Sequence, residues 1–217
     1  MQIKKEEITE LVSKARANSK DRNFLESFEA IINIRDMDMK QTSNNFSLNL
    51  TLPNLNKSNK LCALVDKQTS KKIKSQVDKV VLESDFEDYS DAREAKKLAS
   101  SYDYFISQTN LMPKVARFFG RYFGPRKKMP SPSAGTVIQP GEDIKDDETK
   151  LRKMVTITFR DQPVIQTLIG DKDLKDEQIA ENFMLVYKRV IENLPSGHLN
   201  IDSVIIKTTM GKPAKLN

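Results

Sequence analysis

Leu61-Cys62-Ala63-Leu64-Val65 is an unbroken apolar run, bounded by Asn59-Lys60 before it and Asp66-Lys67 after it. A strand with one wet face alternates apolar and polar residues. A strand covered on both faces does not, and such runs mark a parallel sheet lying between helices. The chain that follows fits this reading: a helix at about 68–76, a short strand at Val80-Val81-Leu82, a helix at 91–101 and a strand at Tyr104-Phe105-Ile106-Ser107. That βαβαβ alternation predicts right-handed crossovers and a small Rossmann-like α/β unit. A helix from Lys114 to Tyr122 and a proline-bearing loop from Gly124 to Gly141 come next, and a polar helix at about 143–151 closes the unit.

Outside these limits the pattern changes. Ile8, Leu11, Val12 and Ala15 recur at helical spacing, so residues 4–17 read as an amphipathic helix. Phe28, Ala30, Ile32 and Ile34 alternate with polar residues, as do Phe46, Leu48, Leu50 and Leu52, which predicts two half-buried strands, antiparallel neighbours of each other. Beyond residue 153, Met154 to Phe159 and Val164 to Ile169 return to strand patterning, with Asp161-Gln162 at the turn between them. Asp173 to Asn193 is a helix carrying Ile179, Phe183, Val186 and Val190 on one side, and Ile201 to Thr209 is a last strand. The expected fold class is therefore mixed α/β and α+β. Residues 1–58 and 153–217 form one α+β sheet domain from both chain ends, and residues 59–152 form a Rossmann-like domain inserted into it. Two crossings, at 57–60 and 150–153, would let the domains move as rigid bodies.

Composition removes whole classes of function. Of the 217 residues, 30% are charged and 38% hydrophobic, and no apolar run approaches the ~20 residues of a membrane span. The N-terminus lacks the apolar core of a signal peptide, so a cytoplasmic location is expected. One cysteine (Cys62) and one histidine (His198) can build neither an internal disulfide nor a Cys/His zinc cage. Lys and Arg exceed Asp and Glu by 36 to 30, with an isoelectric point near 9.2, which favours a nucleic-acid partner. The excess is local: no acid lies between Asp103 and Glu142, where Lys114, Arg117, Arg121, Arg126, Lys127 and Lys128 all fall.

The candidate chemistry is sparse. After Val65 the chain reads Asp66-Lys67-Gln68-Thr69-Ser70, with no glycine for a dinucleotide fingerprint, and no phosphate loop occurs elsewhere. The acids Glu83, Asp85, Glu87, Asp88 and Asp91 read as a solvated face in which Asp91 or Ser90 caps the next helix, with a divalent-cation site as the lesser reading. Phe118, Phe119, Tyr122 and Phe123 have helix-face spacing and read as core before base-stacking platforms. Arg126-Lys127-Lys128, on a proline-stiffened loop, suits phosphate contact. Lys207-Thr208-Thr209-Met210-Gly211-Lys212, taken alone, reads first as a frayed terminus. Its small hydroxyls, thioether and glycine also suit close approach to a ribose-phosphate surface.

Gly124-Pro125-Arg126-Lys127-Lys128-Met129-Pro130 resembles the signature of the large-subunit ribosomal protein L-one family. Three further segments match in order: Arg22-Asn23-Phe24-Leu25-Glu26-Ser27-Phe28-Glu29, Leu168-Ile169-Gly170, and Ser203 through Thr208-Thr209-Met210-Gly211. The resemblance spans essentially the whole chain and is nearest the archaeal branch. It implies a first domain built from both chain ends and a Rossmann-like insertion. It further implies binding to large-subunit rRNA of the mobile stalk near the tRNA exit site, help in releasing deacylated tRNA from that site, and repression of the protein's own mRNA through a similar RNA fold. The matched RNA-binding positions are Phe24, Ser27, Glu29, Gly170, Ser203, Thr208, Thr209, Met210 and Gly211. Arg126, Lys127 and Lys128 are secondary RNA contacts or interdomain residues. Lys212 departs from the Met-Gly-Pro of many members, so the local turn is expected to differ. No enzymatic activity, cofactor, metal or membrane is implied, and the free protein is expected to be a monomer. The rival reading from the residues is a nucleotide-dependent RNA-modifying enzyme that uses the Rossmann-like domain.

Overall fold

The computed structural model describes residues 3–39, 41, 44–56, 58–160 and 162–216, without the side chain of Asp146. The expected turn residue Asp161 lies outside the described residues. The chain divides into two compact units, Met1–Lys57 with Met154–Asn217, and Ser58–Lys153.

The first unit contains α1 (Lys5–Ala17), β1 (Ser27–Ile34), β2 (Phe46–Thr51), β7 (Met154–Phe159), β8 (Val164–Asp171), α6 (Asp176–Asn193), β9 (Ile201–Thr208) and β10 (Ala214–Leu216). Its main sheet is antiparallel, in the order β10-β9-β1-β8. Along β1 burial alternates strictly, with Phe28, Ala30, Ile32 and Ile34 inward. They share one core with Ile8, Leu11, Val12 and Ala15 of α1 and with Ile179, Phe183, Val186 and Val190 of α6. Both helices are amphipathic, and the strip each must hide from water is the one that closes this core.

Two expectations need correction. β1 and β2 are not neighbours: both edges of β1 are taken by β8 and β9, and β2 pairs with β7 in a separate two-stranded ribbon. The alternation of each strand states only that one face is buried. The partner is chosen by cross-strand packing, here Phe46 stacked on Phe159 at 5.3 Å with Leu48 opposite Ile157 and Leu50 opposite Val155. The C-terminal segment is likewise not frayed, because residues 214–216 return as β10 on the edge of β9 and bury Ala214.

The second unit is a parallel sheet in the order β4-β3-β5-β6, from β3 (Leu61–Val65), β4 (Lys79–Leu82), β5 (Tyr104–Gln108) and β6 (Val137–Ile138). Its helices are α2 (Lys67–Ile73), α3 (Ala92–Ser101), α4 (Met112–Phe123) and α5 (Lys145–Arg152). All five residues of β3 are buried, as the continuous run predicted. The acidic segment forms a 3-10 helix, Glu83–Ser90, and Asp91 caps α3 by accepting the Arg93 N–H at 3.0 Å. Phe119 and Phe123 are core: Phe123 stacks on Phe105 at 3.9 Å, and Phe86 meets Phe119 edge-on at 5.3 Å.

Candidate nucleic-acid interface

One end of the first unit's sheet carries the candidate site. Antiparallel pairing sets Phe28 opposite Thr208 on one side and Gly170 on the other, which brings the start of β1, the end of β9 and the end of β8 together. Thr209 ties the first two: its N–H donates to Ser27 O at 3.0 Å, and its hydroxyl accepts the Ser27 N–H at 3.1 Å. Among the described residues only four large hydrophobics are exposed, and three stand on this rim: Phe24 at 53%, Leu25 at 49% and Met210 at 60%. Exposed apolar side chains on a hydrogen-bonded frame are the form a binding surface takes.

The expected residues are not all equally placed. Phe24 and Met210 are exposed, Ser27, Thr209 and Gly211 are half-buried around them, and Glu29 lies half-buried one step along β1, opposite Lys207 of β9. Thr208 and Gly170 are buried beneath the rim. A Cβ on Gly170 would sit 2.9 Å from Leu174 Cδ1 and 3.2 Å from Ile179 Cγ1, so this glycine lets loop 172–175 and α6 close on the sheet. Ser203 is not brought to the rim. It pairs with Asn33, whose side-chain amide donates to its hydroxyl at 2.9 Å, five residue pairs from Thr208 and roughly 17 Å away at strand rise.

Glu26 was missed by motif reading. It is 1% exposed at the centre of the rim, where its carboxylate accepts the Ser19 hydroxyl and, at 3.0 Å, the Met210 N–H. Arg22 Nε lies 3.7 Å away and Lys172 Nζ 3.9 Å away. The Ser19 hydrogen bond chiefly holds this carboxyl below the usual carboxylate range; the Met210 N–H, the Thr208 hydroxyl and Lys172 add to it, and burial opposes it. The Thr208 hydroxyl acts by proximity, without a hydrogen bond of normal geometry. A signal was available in the sequence: extending the alternation of β1 backward puts Glu26 on the inward face with Phe28, and an inward acid must have partners.

The basic loop of the second unit splits. Lys128 turns inward, donating to Ala99 O at 3.0 Å and Tyr102 O at 2.6 Å at the C-terminal end of α3, and burial lowers its pKa. Arg126 and Lys127 remain exposed, Lys127 with φ of 56°. On α4, Lys114, Arg117 and Arg121 are exposed, but Lys114 pairs with Glu83, and the groove beside them is lined by Asp66, Glu83 and Glu87 as well as by cations.

Open α/β sheets take ligands at the strand C-termini where the strand order reverses, here between β3 and β5. At that point the chain bonds to itself. Gln108 Oε1 accepts the Asp66 N–H at 2.9 Å, its amide donates to the Thr69 hydroxyl at 2.6 Å, and the same hydroxyl accepts the Gly141 N–H at 3.0 Å. Cys62 is buried and its thiol pushed up to about 12, which makes it a packing residue rather than a nucleophile. Among the described residues no group of three or more His, Cys, Asp or Glu could hold a metal ion, and no helix is long and apolar enough to cross a membrane.

A rim of apolar side chains and hydroxyls on a hydrogen-bonded sheet end, in a chain whose α/β unit carries no dinucleotide fingerprint after β3, has the character of a binding protein. Comparison with known proteins gives the family. The profile of the Ribosomal protein L1p/L10e family matches residues 13–212, and the chain belongs to that family. Its relatives include the large ribosomal subunit protein uL1 of Methanothermobacter thermautotrophicus, 39% identical over 209 positions that cover 95% of this chain and 96% of that protein. The protein of the same name from Pyrococcus horikoshii is 36% identical over 100% of this chain and 98% of its own length. The one from Haloferax volcanii is 32% identical over 94% and 95%.

Proposed function

We propose that the chain is a structural, non-enzymatic constituent of the large ribosomal subunit that binds the rRNA of the mobile stalk. The relatives that match it over nearly their full length are named as large ribosomal subunit proteins. The observation that carries the RNA reading is the rim: Phe24, Leu25 and Met210 exposed around the hydroxyls of Ser27 and Thr209. Apolar faces pack on riboses and bases while hydroxyls and backbone groups meet 2'-OH and phosphate, which is recognition by shape. Glu29, opposite Lys207, extends the surface along β1. Thr208 and Gly170 support it from beneath, Gly211 lies at its edge, and Arg126 and Lys127 add phosphate contacts from the second unit. Within the ribosome the protein assists release of deacylated tRNA from the exit site, and it represses its own mRNA through an RNA fold like that of the stalk. The Gln108 network speaks against a nucleotide-dependent enzyme in the α/β unit.

The test is binding of the full chain to a transcript of the large-subunit stalk region at moderate salt, with an equal mass of unrelated structured RNA as competitor. Binding that resists the competitor supports the reading. Binding that the competitor abolishes would reduce the protein to a basic RNA-associating chain.

A further inference from the structure

We propose that Glu26 is the positioning residue of this interface: it holds three chain segments in one geometry, two through its buried carboxylate and one through its main-chain carbonyl, so that Phe24, Leu25 and Met210 meet RNA as a preformed surface. The inference rests on the reading of the rim as an RNA site. The side chain accepts from Ser19, before β1, and from the Met210 N–H, after β9, while the main-chain carbonyl of Glu26 accepts the Lys172 N–H at 2.9 Å, after β8. Both carboxylate oxygens are thus occupied by the protein, and at 1% exposure neither reaches a ligand. A negative charge at an RNA surface would repel phosphate if it were exposed. Here it is sunk beneath the rim and balanced by Arg22 at 3.7 Å and Lys172 at 3.9 Å. Burying a carboxylate is costly, and an apolar residue would fill the space more cheaply; what a planar side chain with two hydrogen-bonding atoms supplies is a fixed link between the Met210 amide and the 19–27 segment. The Met210 side chain is 60% exposed, and its backbone N–H is tied to Glu26, so its place over the rim is set from the backbone. A surface ordered before binding does not lose that freedom on contact with RNA.

The experiment measures the affinity of full-length wild type, Glu26→Ala, Glu26→Gln and Ser19→Ala for the stalk transcript over a range of salt, counting only the active fraction found by stoichiometric titration. Glu26→Ala is expected to weaken binding about tenfold or more with the slope of log K against log salt unchanged, because no phosphate contact is removed. Glu26→Gln, which keeps an acceptor for the Met210 N–H and a donor for the Ser19 oxygen, should recover most of the loss. Should Glu26→Ala fail to fold, Ser19→Ala carries the test, with a smaller loss at unchanged slope. Wild-type affinity in Glu26→Ala, or in Ser19→Ala where that variant carries the test, or a slope reduced by about one, overturns the proposal. A wild type that shows no preference for the stalk RNA instead overturns the reading on which it rests.

Discussion

Gly211 occupies the tightest corner of the rim. A Cβ there would fall inside the contact distance of Thr208 Oγ1 and 3.6 Å from the Ser19 Cα, and Thr208 is fully buried with little room to yield. Gly211→Ala should therefore cost about 1–3 kcal/mol as an overpacking change. Adding Thr208→Ala, which removes the obstructing hydroxyl, should restore part of it; urea unfolding of the two single variants and the double variant measures this, and additive losses would refute it. Glu26 gives a pH dependence of defined sign. Its folded-state pKa lies below the ordinary 4.5, so its ionised form contributes stability that is complete above 4.5 and is lost as pH falls through the folded value. The stability gap between wild type and Glu26→Gln should shrink on acidification from pH 6 towards pH 3. A gap that stays constant with pH would contradict the assignment. At this scale the exposure of Phe24 and Met210 is matched in the sequence by two contiguous segments, 22–29 and 203–211. Ser203 shares the second segment yet lies towards the far end of β9, since a strand carries neighbours in sequence away from each other along its length.

Among the elements, β3 announced itself, because five successive buried residues leave no other covering than two helical layers. β6 did not, since two residues, Val137 and Ile138, hold no period to read. The pairing of β2 with β7 was equally hidden: their registers meet across residues more than 100 apart in sequence, which local pattern does not encode. Lys128 shows how a basic signature divides once folded. Its ammonium satisfies two carbonyls at the end of α3, and each charged hydrogen bond is worth about 1.5–3 kcal/mol. Lys128→Met is expected to destabilise the second unit by about that amount and to leave stalk-RNA affinity within twofold. Arg126→Gln with Lys127→Gln should do the reverse, keeping stability and lowering the salt slope by up to about two. Urea titration beside salt-dependent binding separates these outcomes, and an RNA defect in Lys128→Met alone would reverse the assignment.

For the whole molecule, the decisive feature is that Thr51, the last residue of β2, lies directly opposite Met154, the first of β7. The chain thus leaves the ribbon and returns to it at neighbouring points, with the Ser58–Lys153 unit carried between them. Replacing residues 58–153 by a short Gly/Ser linker is therefore expected to leave a folded first unit, whose core draws on none of the removed residues. The two-unit plan was visible in the sequence as a change of pattern, from alternating strands to a continuous apolar run and back, because burial on one face or on two is written in composition. The rim was visible only in part, because its frame is made by backbone amides and one inward carboxylate from three distant segments. The measurement that tests the central claim most directly is the affinity ratio between the stalk transcript and unrelated structured RNA, for wild type and for Phe24→Ala with Met210→Ala. The ratio should be large for wild type and fall towards one in the double variant, while salt-sensitive nonspecific binding persists. A ratio that survives the loss of both side chains would place RNA recognition elsewhere on the protein.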